Sequence, residues 1–360
     1  MPVSRKLPHA VDGVLAGRLP FGMHGAVQLP TVEVLSHSLE LKQRGRFIGD
    51  DASRPGFRRC LDEARRIARK AGRDPFGKKP SEDISNRRLE LVLDGDDPHA
   101  IAVVTGAIDR FAAGLVRVIT RYRQTATWKK VERIVVGGGF SGHRVGQLAM
   151  GRTQVLLHEA GLKIGICTIA NDPDDAGLIG GVHLVPGWIF DGHDAILAVD
   201  IGGTNMRCGI VRLRQDKAAD FGRADVVSSL IWRHADDDPK RTEAVAGLVA
   251  MLEKLVKRAR NRKLKLAPFI AIGCPGRVRF DGLIDRGAQN LPGHWESEHF
   301  NLPMRVREAL PTIRGHDTVV LMHNDAVVQG LSELPRMQGV RQWAVLTIGT
   351  GLGNAVFRNR

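Results

Sequence analysis

Residues 196–213, ILAVDIGGTNMRCGIVRL, run an apolar strand into a glycine turn and out along a second strand, and residues 343–357, WAVLTIGTGLGNAVF, do the same. Two glycines let the backbone of the first turn approach a phosphate. Thr204 adds a hydroxyl, and Asp200, at the strand's end, can hold a metal ion through water. Taken alone, the turn reads equally well as a tight hairpin that needs positive φ. Its surroundings narrow the fold. Apolar strands at 133–140, 162–169, 267–276 and 318–325 alternate with helical periods at 56–72, 96–122, 143–161 and 239–261. Strands alternating with helices imply α/β lobes with largely parallel sheets. Residues 31–47 read as strand, and 1–30, rich in Pro and Gly, as irregular chain.

A chain of 360 residues is long enough for two lobes with separate cores. The net charge of +14 and pI near 10.1 favour polyanionic neighbours such as nucleotides, polyphosphate, nucleic acid or an anionic membrane, and do not choose among them. A solvated basic surface is the simpler reading, and no nucleic-acid partner is expected. Cys60, Cys167, Cys208 and Cys274 are scattered with no C-x-x-C pair, so neither zinc nor a disulfide framework is expected. The opening MPVSRKLPHAVDG lacks the apolar core of a secretory signal, and the apolar stretch 176–190 is too short to span a bilayer and carries His183. A cytoplasmic protein with no membrane partner is the expectation.

Between the two turns lie GCPGRVRFDGLIDRGAQNLPGHW (273–295) and MHNDAVVQG (322–330). In this order the chain resembles the ROK family, the bacterial glucokinase and sugar-kinase group of the actin/hexokinase superfamily. That family carries a D-x-G-G-T-x-x-R phosphate turn, a G-x-P-G strand end, an N-L-P-G-W sugar loop, an N-D pair and a G-T-G-x-G second phosphate turn. All five occur over residues 196–356, with His294 inserted in the sugar loop. The family's later elements occur here before the first turn, as GDDPHA (95–100), IVVGGGFSG (134–142) and DDAGLIGG (174–181). The resemblance therefore implies a two-lobed actin/hexokinase-like (ribonuclease H-like) α/β fold, circularly permuted. Residues 1–187 would form most of the C-terminal, adenosine-side lobe, and 188–340 the N-terminal lobe with the first phosphate turn and the sugar side. Residues 341–360 would supply the first strands of the C-terminal lobe. A tandem fragment, or a first lobe fused to an unrelated domain, are the rival readings. On the permuted reading, Gly137–Gly139 should face Gly349–Gly353 across a single cleft.

The resemblance also implies roles. Asp325 would be the catalytic base that accepts the sugar hydroxyl proton, although an acid at that place can equally cap the following helix. Asn290, Asn324 and Gly276 would bind the sugar; both asparagines can also be simple turn residues. Backbone groups of Gly202, Gly203, Thr204, Gly349, Thr350, Gly351 and Gly353 would cradle phosphates. Arg207 would orient a phosphate or pair with an acid. Gly138 and Gly139 would let adenosine approach, and Asp200 would stand near Mg²⁺. The implied activity is an ATP- and Mg²⁺-dependent, glucokinase-like transfer to a hexose. Polyphosphate as donor and a non-catalytic sugar-sensing regulator are the alternatives. The family's E-x-G-H sugar ligands and cysteine-rich zinc motif belong, by circular order, near residues 1–60 and are absent there. Glu33, His37, Glu40, Asp50 and Asp51 are candidate replacements. The sequence leaves the oligomeric state open, a homodimer among the options.

Overall fold

The computed structural model describes residues 22–360. They divide into two compact units. Unit one comprises residues 22–30 and Gly181–Val328; unit two comprises Thr31–Gly180 and Gln329–Arg360. The resemblance implies boundaries after 187 and 340, with residues 1–30 in the adenosine-side half. The described part of that segment, 22–30, packs on unit one instead, because backbone groups and a histidine there bond to the strand at 319–324. Residues 1–21 lie outside the described chain.

Numbered along the chain, the strands of unit two are β1 (Val32–His37), β2 (Arg133–Gly137) and β3 (Gly165–Thr168). Those of unit one are β4 (Ala195–Ile201), β5 (Met206–Arg212), β6 (Asp225–Trp232), β7 (Leu266–Cys274) and β8 (Val319–Asn324). Unit two is completed by β9 (Gln342–Ile348) and β10 (Leu352–Asn359). Unit one orders its five strands β8-β7-β4-β5-β6, and unit two orders its five β1-β10-β9-β2-β3. In unit one the β4–β5 and β5–β6 pairs are antiparallel, while β4–β7 and β7–β8 are parallel. In unit two β9–β10 and β10–β1 are antiparallel, and β9–β2 and β2–β3 parallel. Started at β9, unit two thus repeats the strand order and strand sense of unit one. The two strands that come first in that order are the last in the chain.

Helices fill the same gaps in both units. In unit two, α1 (Arg54–Lys70), α2 (Asn86–Leu93) and α3 (Pro98–Arg123) connect β1 to β2, α4 (Arg144–Glu159) connects β2 to β3, and α5 (Pro173–Ile179) follows β3. In unit one, α6 (Arg241–Asn261) connects β6 to β7, α7 (Leu302–Ala309) lies between β7 and β8, and α8 (Asp325–Leu331) starts directly after β8. Two short hairpins, 42–47 and 312–317, decorate the loops.

The apolar spacing of α3 puts Val104, Ile108, Phe111 and Leu115 inside, as its helical period requires, while Asp97 caps it by accepting from His99 and Ala100. Phe57, Phe111 and Phe140 meet at centroid distances of 5.0–5.7 Å at the heart of unit two. In unit one, α6 lays Leu248, Leu252 and Leu255 on a core with Leu197, Val199, Ile210 and Ile272. The basic helix α1 has one arginine on the inside. Arg65 is fully buried and donates to Asp74, to Ser81 Oγ at 2.7 Å and to the carbonyls of Gly77 and Lys79, folding loop 74–81 around its guanidinium.

Candidate functional site

Parallel strands deliver their C-terminal ends to one side of a sheet, and loops leaving that side gather chemistry. In unit one, Asp200 is the penultimate residue of β4 and faces Gly273 of β7 on one side and Arg207 of β5 on the other. Asn324 ends β8 opposite Cys274. Asp325 follows at once and opens α8, its backbone packed close to Gly273, where an added Cβ would lie 3.6 Å from the Asp325 Cα. The strand ends thus assemble Asp200, Arg207, Asn324 and Asp325 in one unit.

Asn324, not Asp325, caps α8. Its Oδ1 accepts from the Val327 N–H at 3.2 Å, while its Nδ2 donates to the Gly276 carbonyl at 3.0 Å and to Asp325 Oδ1 at 2.9 Å. With 2% exposure, Asn324 spends these contacts on holding Asp325 and the G-x-P-G turn together. Asp325 also accepts from the Ala326 N–H at 2.8 Å. Burial, and then the negative charge of Asp200, push its carboxyl up to about 6. The same neighbourhood acts on the buried Cys274 thiol, which burial raises, with Asp325 and Asp200 adding to the rise.

Around these acids the loops close in. Gly276 has φ +95°, and a Cβ there would stand 2.5 Å from the Arg286 carbonyl, so only glycine lets the two loops touch. A Cβ on Gly203 would stand 3.1 Å from that of Asn290, which brings the first glycine turn against the N-L-P-G loop. The Gly202 N–H donates to the Asn205 carbonyl at 2.8 Å to form the turn. It is backed by a single helical turn, His234–Asp237: the buried His234 reaches the Gly202 carbonyl with Nε2 at 2.9 Å, and the Ala235 N–H donates to Thr204 O. Nothing in the sequence marks His234, a solitary histidine among acids.

In unit two the second glycine turn joins β9 to β10 at the place where the first joins β4 to β5. The Gly349 N–H donates to Gly351 O at 3.0 Å, and Gly353, the second residue of β10, stands opposite Thr347. Thr350 and Gly351 are exposed. Gly138, with φ +83°, lies against the end of β9, where a Cβ would be 2.6 Å from the Ile348 carbonyl. Gly137 pairs with Thr347 in the parallel β2–β9 ladder and Gly138 follows it against Ile348, so this turn leaves the sheet beside the end of β9; the expectation that it faces Gly349–Gly353 across a cleft is corrected. The backbone N–H of Arg54, the first residue of α1, donates to Gly349 O at 2.8 Å. All five candidate replacement ligands, Glu33, His37, Glu40, Asp50 and Asp51, fall in unit two. Glu33 is taken up by Arg358, Asp51 pairs with Arg59 at 3.5 Å, and His37 Nδ1 lies 3.3 Å from Ser38 Oγ.

Among the described residues there is no cluster of three or more His, Cys, Asp or Glu side chains able to hold a metal. The pair Asp200 and Asp325 still suits Mg²⁺, which keeps several waters and takes one or two carboxylates plus substrate phosphates. Two carboxylates near enough for one to raise the other are a place where a divalent cation lowers the electrostatic cost. All four cysteines are free, and no described helix is long and apolar enough to cross a membrane.

No protein-family model and no curated protein matches the sequence. Among solved structures, the chain is similar in part to a Cytophaga hutchinsonii protein assigned as a sugar kinase, at 20% identity and a TM-score of 0.34, covering 45% of this chain and 47% of that one. A Listeria monocytogenes protein assigned as an N-acetylmannosamine kinase aligns at 25% identity and TM-score 0.33, covering 46% and 47%. The ROK hexokinase of Thermus thermophilus aligns at 23% and 0.33, covering 45% and 46%. The chain spans about half the length of each of these proteins.

Proposed function

We propose that this protein is a circularly permuted sugar kinase that moves the γ-phosphoryl group of ATP to a hexose hydroxyl. The observation that carries the reading is Asp325: a carboxylate at a strand end, oriented by Asn324, with its proton affinity lifted to about 6 beside Asp200. A base whose pKa lies near the working pH is ionised for the attack yet still able to take a proton. The repeat of unit one's strand order in unit two, begun at β9, supports the permuted arrangement.

Each residue then has a task. Asp325 accepts the proton of the attacking hydroxyl. Asn324 fixes the carboxylate and, through Gly276, the loop beside it, so its part is orientation rather than a direct hold on the sugar. Asn290, exposed against Gly203, is placed to hydrogen-bond the acceptor. The N–H groups of Gly202 and Gly349 close their own turns, so those that follow them, in 203–204 and in 350–353, would be the ones to bind phosphate oxygens, and Gly138 and Gly139 would leave room for adenosine. Asp200 would hold Mg²⁺ through water, and the ion would neutralise charge on the transferring phosphoryl group. Positioning and electrostatics carry most of such a reaction, with little covalent work for the protein.

The +14 charge makes polyphosphate a second donor to try. The test is incubation of the protein with ATP or polyphosphate and a hexose panel, with Asp325→Asn alongside, scored by sugar phosphate formed. Sugar binding without turnover would favour the sensing alternative.

A further inference from the structure

Residues 22–29, GMHGAVQL, lie along β8, the edge strand of unit one, and two histidines fasten them there. His24 is buried and accepts the Met322 N–H on Nδ1 at 3.1 Å, while the Gly25 N–H donates to the Met322 carbonyl at 3.0 Å. Gly25 has φ +55°, and a Cβ there would fall 2.2 Å from the Val278 carbonyl, so the segment can turn here only at a glycine. One residue further along β8, His323 returns the contact: its Nε2 lies 3.0 Å from the Ala26 carbonyl. A carbonyl can only accept, so Nε2 carries the proton, and Nδ1 is free to accept the Asn324 N–H at 2.7 Å. Both ring nitrogens are used, and the ring is 2% exposed.

We infer that His323, locked in one tautomer by the Ala26 carbonyl, is a positioning residue that sets Asn324 and through it the Asp325 carboxylate. The inference rests on the phosphotransfer reading for its activity arm. The chain of contacts is continuous: Ala26 O to His323, His323 to Asn324 N–H, Asn324 Nδ2 to Asp325 Oδ1. Segment 22–29 is thereby part of the acceptor-side machinery although it touches no acceptor itself. The sequence pattern gives no sign of this, since the segment sits almost three hundred residues away from its partner.

Two measurements test it. Long-range ¹H–¹⁵N NMR of the full chain should show His323 protonated on Nε2 and unprotonated on Nδ1; the opposite tautomer, or fast averaging of the two, would overturn the lock whether or not the protein turns over any sugar. In the kinase assay, His323→Ala should lower kcat on the order of 10- to 100-fold with acceptor KM little changed, as expected when a base is misplaced rather than removed. His323→Gln, which keeps a donor for Ala26 O and guards against loss of fold, should recover part of kcat. An unchanged kcat in a folded His323→Ala protein would overturn the inference. Absence of turnover in the wild type would count against the kinase reading alone, leaving the NMR result to decide the lock.

Discussion

Asp200, next to last in β4, and Asp325, the first residue after β8, lie at the ends of two strands that flank the same central neighbour, β7, so their backbones stand about two strand spacings apart, roughly 10 Å. Side chains at such strand ends can converge over the glycine between them, and Gly273 occupies that place. The result is a carboxylate held against its own ionisation.

Asp325→Asn should lower turnover on the order of 10²–10⁴-fold and yet stabilise the fold. With the native carboxyl at about 6 and the unfolded one near 3.8, the folded state binds the proton more tightly. The stability from the neutral form is complete below pH 3.8 and is lost as pH rises through 6, on the order of 3 kcal/mol in all. Asparagine mimics the neutral form, so Tm at pH 8 should rise by several degrees, and the gain should vanish near pH 4. No cap is lost in this variant, because Asn324 caps α8.

The same carboxyl sets the acid limb of the rate. kcat/KM should be flat above pH 7 and fall about tenfold per unit below pH 6, with one proton responsible. A limb centred near pH 4 would mean that Asp325 is not the group being titrated.

Two buried imidazoles should make the protein acid-sensitive. His24 and His183 are both lowered to about 4 from 6.5, chiefly by burial, with Asp281 and Asp220 partly opposing. Their neutral forms fit the fold, so stability should fall as pH drops from 6.5 towards 4, by roughly 3 kcal/mol for each histidine. Urea titrations at several pH values measure this directly. His24→Asn, taken alone, should flatten part of that slope.

Arg65→Ala should cost about 3–5 kcal/mol, because it empties a fully buried place, leaves Ser81 Oγ and the Gly77 and Lys79 carbonyls without their donor, and leaves Asp74 to Arg69 and the Phe76 N–H alone. Arg65→Lys should recover little, since a single ammonium cannot span the same fork of acceptors. Chemical denaturation of both variants checks the pair.

Gly351→Ala separates ligand contact from fold. A Cβ at Gly351 meets nothing within 4 Å, and its φ is not left-handed, so Tm should hold within about 1 °C. If phosphate approaches that backbone, the added methyl should raise the donor KM several-fold. Gly276→Ala is the opposite case, with both φ and the Arg286 carbonyl against it, and should lower Tm.

Much of this was legible in the sequence because glycine and strand-end acids are local signals. The turns at 202–204 and 349–351, the strand ends at Asp200 and Asn324, and the helices 98–123 and 241–261 follow from apolar period and turn chemistry. What stayed hidden depends on distant partners. β6, with a half-exposed pattern and paired serines, is an edge strand without a clean alternation. Arg65 looks like any residue of a solvated basic face until loop 74–81 closes over it. The docking of 22–29 on β8 requires contacts that no window of sequence contains.

The most direct test is transfer from γ-labelled ATP, with Mg²⁺, to a panel of hexoses by the wild-type chain and by Asp325→Asn. The account predicts a labelled sugar phosphate whose formation drops on the order of 10²–10⁴-fold in the variant. A folded wild type that labels no sugar, or a variant that labels sugar at the same rate, would contradict it.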